Sequence, residues 1–231
     1  MIKSGQYDFL DFGSGKGGCA TFAVKKLLGK SHLCFEIRKE AIDNLNKLGH
    51  SCVYADITNL SLPKKSVRFV TISHVLEHLP TLEHVYKVLQ TAVDVATDFV
   101  FIEGPTFDFD DYLKSHGFKF FWHDSCGHTT RVTTQHIHRR AKKLGVLTQH
   151  WLIEQPYVDN SLSLDILPYG IPSSPNKYKE KIHPKKTFVS FTTKKVFRSW
   201  ICFLVLNEIN YTNLLINART KFIVSPISVQ K

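Results

Sequence analysis

The chain has 231 residues, 43% of them hydrophobic, and carries 30 Lys and Arg against 20 Asp and Glu for a net charge of +10. That hydrophobic fraction excludes a disordered chain, and the length suffices to bury one full core. Cys19, Cys34, Cys52, Cys126 and Cys202 stand singly without a C-x-x-C pair, which excludes a disulfide-stapled mini-protein and suits a reducing compartment.

The longest apolar run, Trp200–Leu206, is far short of the roughly 20 residues that cross a bilayer. The first ten residues show no cleavage-site pattern, so neither a membrane span nor a signal peptide is expected and the cytoplasm is the default location. Residues 1–110 hold 12 basic and 13 acidic side chains, whereas residues 111–231 hold 18 and 7. A basic second half invites phosphate, nucleic acid or an anionic surface, although a solvated lysine-rich face gives the same count.

In chain order, Asp8–Phe12 reads as a short apolar strand and runs into the glycine cluster GSGKGG. Ala20–Leu28 has helical spacing, Leu33–Ile37 is a strand, and Lys39–Leu48 is a helix closed by Gly49. Cys52–Ala55 and the β-branched Val67–Ser73 are strands, Leu82–Ala96 a helix and Phe99–Ile102 a strand. Beyond the aromatic-rich Phe107–Trp122, Thr134–Leu144 looks helical and Leu147–Ile153 strand-like. Asn160–Lys186, with four of the nine prolines, reads as a long loop, and Thr187–Thr193 with Val196–Leu206 as a closing antiparallel pair turned at Lys194–Lys195. Such alternation predicts a doubly wound α/β fold, whose ligands bind at the carboxyl ends of the strands.

FLDFGSGKGG, Phe9–Gly18, is the strongest motif: a strand, the acid Asp11, then Gly13, Gly15 and Gly17 leading into a helix. Glycines let the backbone turn sharply and approach a ligand closely. Gly13, Gly15 and Gly18 also satisfy G-x-G-x-x-G, so a dinucleotide site stays open here, while Gly17 after Lys16 excludes a Walker A loop. Asp11 suits a ligand with an amino group better than a pyrophosphate. Glu36 ends the next strand, placed to accept both hydroxyls of a ribose, and Asp56 follows the third, placed to accept an adenine amino group. Acids at three successive strand ends describe a nucleoside with an amino-acid tail.

Asp11–Gly17, Glu36, Ala55–Asp56 and the stretch VTISHVLEHLP resemble motifs one to four of the class I S-adenosylmethionine-dependent methyltransferases, over roughly residues 7–105. The resemblance implies a Rossmann-like, seven-stranded, mostly parallel sheet with a C-terminal antiparallel hairpin, in a single domain over residues 1–231. It implies S-adenosylmethionine as cofactor: Asp11, Gly13 and Gly15 at the methionine moiety, Glu36 at the ribose, Asp56 at the adenine, and Ser73 and His74 beside the sulfonium. Ser14, Gly17, Ile37 and Ile57 complete the expected contacts. GHTTRVTTQHIHRRAKKLG resembles a stretch that lies over the active site in small-molecule methyltransferases, so His128, with His74 or His78, is the candidate proton acceptor. The family's N-terminal covering helix is missing ahead of the first strand, which leaves residues 105–130 and 160–186 as the expected lid segments.

Metal readings are weaker. His74–His78 matches H-x-x-E-H, but its place after a strand speaks against a zinc protease. Some relatives hold a cation where Glu-x-x-acid-His stands, and here the first position is His74. His123, Cys126 and His128, with His136 or His138, have donor spacing but no supporting pair, since i,i+2 residues diverge on a helix. No metal is therefore expected. The expected acceptor is an oxygen or nitrogen of a small, anionic or sugar-type molecule. The Asp/Asn-Pro-Pro-aromatic motif of nucleobase amino-methylation is absent, since SHVL stands there. Rival readings are an RNA or phosphorylated-polymer methyltransferase using the basic half, an inactive binding module, and a nicotinamide dehydrogenase disfavoured by Asp11.

Overall fold

The computed structural model describes residues 3–124, 127–146, 151–153, 155–171, 177–191, 193–210, 212–213 and 224–226. Strands β1 (Phe9–Phe12), β2 (His32–Glu36), β3 (Cys52–Tyr54), β4 (Val67–Ser73) and β5 (Ala96–Pro105) alternate with helices α1 (Gly18–Lys26), α2 (Lys39–Lys47) and α3 (Leu82–Val95). The later part holds α4 (Asp110–Ser115), β6 (Phe118–Phe120), α5 (Thr134–Lys143), β7 (Trp151–Ile153), β8 (Gln155–Val158), β9 (Ile166–Pro168), β10 (Val196–Val205) and β11 (Val224–Pro226).

The main sheet has seven strands in the order β3-β2-β1-β4-β5-β10-β8. Its first five are parallel, and β10 enters antiparallel to β5 and to β8. The order reverses between β1 and β4, which opens the crevice where such sheets bind ligands. Helix α3 buries Val85, Val88, Leu89 and Ala92, one stripe at helical spacing, against Val70, Ile72, Val100 and Ile102. On the other face Phe9, Phe69 and Phe99 stack across β1, β4 and β5 with ring centroids 4.7 Å apart at each step. Thr81 caps α3, its hydroxyl accepting from the His84 N–H. No helix among the described residues is long and apolar enough to cross a membrane.

Three expectations change. The sheet partner of β10 is β8, not Thr187–Thr193. The backbone of that segment instead bonds to residues 159–161, through Phe191 N–H to Asp159 O at 2.7 Å and Ser161 N–H to Val189 O at 2.9 Å. A Lys-Lys pair offers none of the residues that favour the positive φ of a two-residue hairpin. The stretch 160–186 is not all loop, because β9 pairs with β6 as a small antiparallel sheet. Of the expected strand Leu147–Ile153, residues 147–150 lie outside the described residues and 151–153 form β7, paired with β11.

Candidate active site

The strand ends β1 to β4 surround a cleft of about 1210 Å³. Gly13, Ser14, Gly15, Glu36, Ile37, Asp56, Ile57, Ser73, His74 and His78, all named from the sequence, line it. Gly13 (φ 73°) and Gly15 (φ 55°) take the left-handed backbone that the turn demands. Gly13 and Ser14 donate their N–H groups to Phe35 O at 2.9 and 3.1 Å, which ties the turn to β2.

Glu36 is buried and accepts N–H bonds from Gly15 at 2.7 Å, Ile37 at 3.0 Å and Arg38 at 2.9 Å. The Arg38 guanidinium also bonds it at 3.1 Å. Burial would raise the carboxyl, but Arg38 and the backbone donors outweigh it and hold Glu36 below the usual carboxylate range. Arg38 itself is 64% exposed and can swing out to release the carboxylate. Asp56 caps the helical turn Ile57–Asn59, accepting from the Thr58 N–H and hydroxyl at 2.8 Å each, and those bonds lower its pKa.

Asp11 and Gly17 depart from expectation by not lining the cleft. Asp11 is 1% exposed and accepts from Thr71 Oγ1 at 2.6 Å, while its Oδ2 has no hydrogen-bond partner. Burial pushes its pKa up, and its neighbours Ser14 and Cys19 do face the cleft. Asp11 faces the packed side of β1, because alternate strand residues point to opposite faces. Gly17 forms the left-handed N-cap of α1, and a Cβ there would lie 2.7 Å from His50 Nε2.

A second pocket of about 360 Å³ shares His74 with the cleft. Trp122, His128, Asp165, Lys177 and Arg198 are among its walls, so both expected lid segments contribute to it. Asp165 is buried between Lys177 Nζ at 2.9 Å and Arg198 Nη1 at 2.7 Å. Residues 10–97 match the family model of the methyltransferase domain. A SAM-dependent methyltransferase from Archaeoglobus fulgidus has the same fold at a TM-score of 0.58, with 16% identity over 87% of this chain and 86% of that one. Residues 10–97 are thus similar to a methyltransferase domain, and the chain has the fold of S-adenosylmethionine-dependent methyltransferases.

An S-adenosylmethionine-dependent methyltransferase from Clostridium acetobutylicum matches 87% of this chain and 84% of that one, with 12% identity and a TM-score of 0.50. Of a phosphoethanolamine N-methyltransferase from Haemonchus contortus the chain spans only 24%, with 18% identity over 46% of its own length and a TM-score of 0.39. No curated protein matches the sequence.

At the junction of the two pockets, His74 has a left-handed φ of 54°, rare for a residue with a side chain. Its N–H donates to Glu103 O at 2.9 Å, which fixes that turn. Its ring sits 3.5 Å from Glu77 and 3.8 Å from Glu103, too far for strong hydrogen bonds but close enough for two facing carboxylates to favour the cation. Glu103 and Glu77 raise its pKa to about 10. The two carboxylates thus favour the imidazolium form of His74 at neutral pH. Ser73 donates to Glu103 at 3.0 Å, and burial of Glu103 is outweighed by His74, which lowers its pKa.

His128 has the opposite state. Its Nδ1 lies 3.1 Å from Trp122 O, and a carbonyl only accepts, so Nδ1 carries the proton and Nε2 keeps a lone pair. Burial lowers its pKa and keeps the ring neutral. His78 Nδ1 similarly donates to Gly127 O at 3.2 Å. Glu77, His78 and His128 bring one donor atom each within 4.8 Å of one another. The alternative cluster does not gather: His123 is engaged by Asp110 at 3.1 Å and Arg131 at 3.0 Å, His136 closes the capping box of α5, and Cys126 lies outside the described residues. Glu103, Arg38 and the Asp165–Arg198 pair were not singled out from the sequence. An acid at the end of β5, like those ending β2 and following β3, was the available signal for Glu103 alone.

Proposed function

We propose that this chain transfers the methyl group of S-adenosylmethionine to an oxygen or nitrogen of a small acceptor held in the second pocket. The observation that carries the reading is the continuity of two unlike cavities through His74, one lined by strand-end acids and a glycine turn, the other by aromatic and charged side chains. The cleft fits the cofactor: Glu36 is a two-oxygen acceptor for a ribose diol once Arg38 moves, and Asp56 is an ionised acceptor. When bound, the cofactor supplies an electrophilic methyl on a sulfonium.

Gly13 to Gly15 and Glu36 fix the position of the cofactor, and the second pocket fixes that of the acceptor, so most of the acceleration comes from orientation. His128 takes the acceptor proton at Nε2, its Nδ1 being anchored on Trp122 O. His74 stays protonated between Glu77 and Glu103 and orients the acceptor rather than deprotonating it. Lys177 and Arg198 support an acceptor with a negative or strongly polar group, and residues 105–130 and 160–186 act as its cover within one domain. Cys19, Cys34, Cys52 and Cys202 form no disulfide among the described residues, which supports action in a reducing compartment such as the cytoplasm.

Calorimetric titration with S-adenosylmethionine tests the cofactor, using Asp11→Asn beside wild type so that the Thr71 bond is retained. Micromolar binding to wild type is expected, followed by S-adenosylhomocysteine release in a screen of sugars, small acids and RNA. A folded wild-type protein that does not bind overturns the reading, and release with RNA alone overturns the small acceptor.

A further inference from the structure

Away from both pockets, three soft donors converge behind the glycine turn. His32 and Cys34 are two residues apart on β2 and so share a face of the sheet. His50 reaches the same face because Gly49 (φ 81°) ends α2 and the His50 N–H bonds back to Leu45 O at 3.0 Å. One donor atom from each of the three lies within 4.8 Å of the others. His32 Nε2 and His50 Nδ1 are 2.8 Å apart, sharing a single proton between two imidazoles.

We propose that His32, Cys34 and His50 bind one thiophilic divalent cation of the Zn²⁺ class, buttressing the glycine turn from behind. A tetrahedral Zn²⁺ holds nitrogen ligands about 3.3 Å apart and sulfur and nitrogen about 3.6 Å apart. Replacing the shared proton by the cation, with the Cys34 thiol proton released to solvent, therefore needs the two rings to part by only about 0.5 Å. One thiolate with two imidazoles selects Zn²⁺ over Mg²⁺ or Ca²⁺, which prefer oxygen. Cys34 is fully buried, while His32 and His50 are part-exposed, so the cation enters past the rings and meets the sulfur last. Three chain ligands leave a fourth position for water.

The site touches the cofactor cleft through one contact. The Nε2 edge of His50 occupies the space that a side chain at residue 17 would need. Fixing the His50 ring on a metal fixes the turn that starts α1, so the cation stabilises the native state as any ligand of that state does. This proposal is independent of the methyl-transfer reading.

The test is a Co²⁺ titration of chelator-treated, desalted protein. A thiolate-to-cobalt charge-transfer band saturating at one equivalent and displaced by Zn²⁺ is expected, with a rise in melting temperature on Zn²⁺ addition. Cys34→Ser should lose the band. Cys52→Ser, whose thiol already donates to Asn46 Oδ1 at 3.1 Å, should keep it. Because Cys34 is buried in the core, His32→Gln and His50→Gln provide part-exposed controls: each should weaken Zn²⁺ binding about 100-fold with an unchanged melt in chelator. The cluster of Glu77, His78 and His128 contains no sulfur, so cobalt bound there gives no such band. Absence of the band in wild type, or its survival in Cys34→Ser, overturns the proposal.

Discussion

The cleft and the second pocket are built by different rules. The acids that line the cleft, Glu36 and Asp56, sit at strand ends and take backbone amides of the same turn, as Glu36 takes Gly15, Ile37 and Arg38. The second pocket gathers His74, Trp122, Asp165 and Arg198 from distant parts of the chain, and its charges are set by side chains, as Asp165 is by Lys177 and Arg198. A site made of local backbone donors is prepared once the sheet forms. One made of remote ion pairs depends on everything between them being in place.

The largest effect that would break this contrast concerns turnover. His128→Asn should lower kcat by about 10²–10⁴-fold and leave the affinity for S-adenosylmethionine unchanged; a matching loss of cofactor affinity in calorimetry would mean the two cavities are not separate. On the other side, Glu36→Gln should weaken cofactor binding by about 10–100-fold, the worth of charge-assisted hydrogen bonds. Stopped-assay kcat at saturating cofactor should stay near wild type.

A smaller effect sharpens the role of the turn. A Cβ on Gly13 would meet the Val75 side chain, and its φ of 73° disfavours any side chain, so Gly13→Ala should cost about 1–3 kcal/mol in denaturant unfolding. The smallest effect sits at the junction. His74 is raised from 6.5 to about 10 in the folded protein, so its protonation adds stability that is complete below pH 6.5 and lost as pH rises through about 10. With a ring 52% exposed the contribution is modest, yet the melting temperature should fall across that window and His74→Gln should flatten the fall.

The same contrast explains what could be read from the amino acids. Asp11, Glu36 and Asp56 were legible because each sits at a strand end marked by apolar periodicity, and the cleft follows from topology. That Asp11 would turn inward onto Thr71 was not, because four successive residues of β1 are buried and no alternation marks its face. His128 was legible only as a histidine after a glycine. Its tautomer depends on Trp122 O, six residues back around a loop. The partner of β10 was misread because pairing across a long connection leaves no local signal, whereas Thr187–Thr193 had strand-like composition close by.

β10 has a consequence for synthesis. It seals β5 over seven register positions, yet it leaves the ribosome roughly ninety residues after β5 is complete. At about 5–20 residues per second the nascent chain carries an open sheet edge for roughly 5–20 s, with Phe99 and Phe101 beside it. A truncated product ending before Val196 would keep that edge unpaired, a template for pairing with another chain.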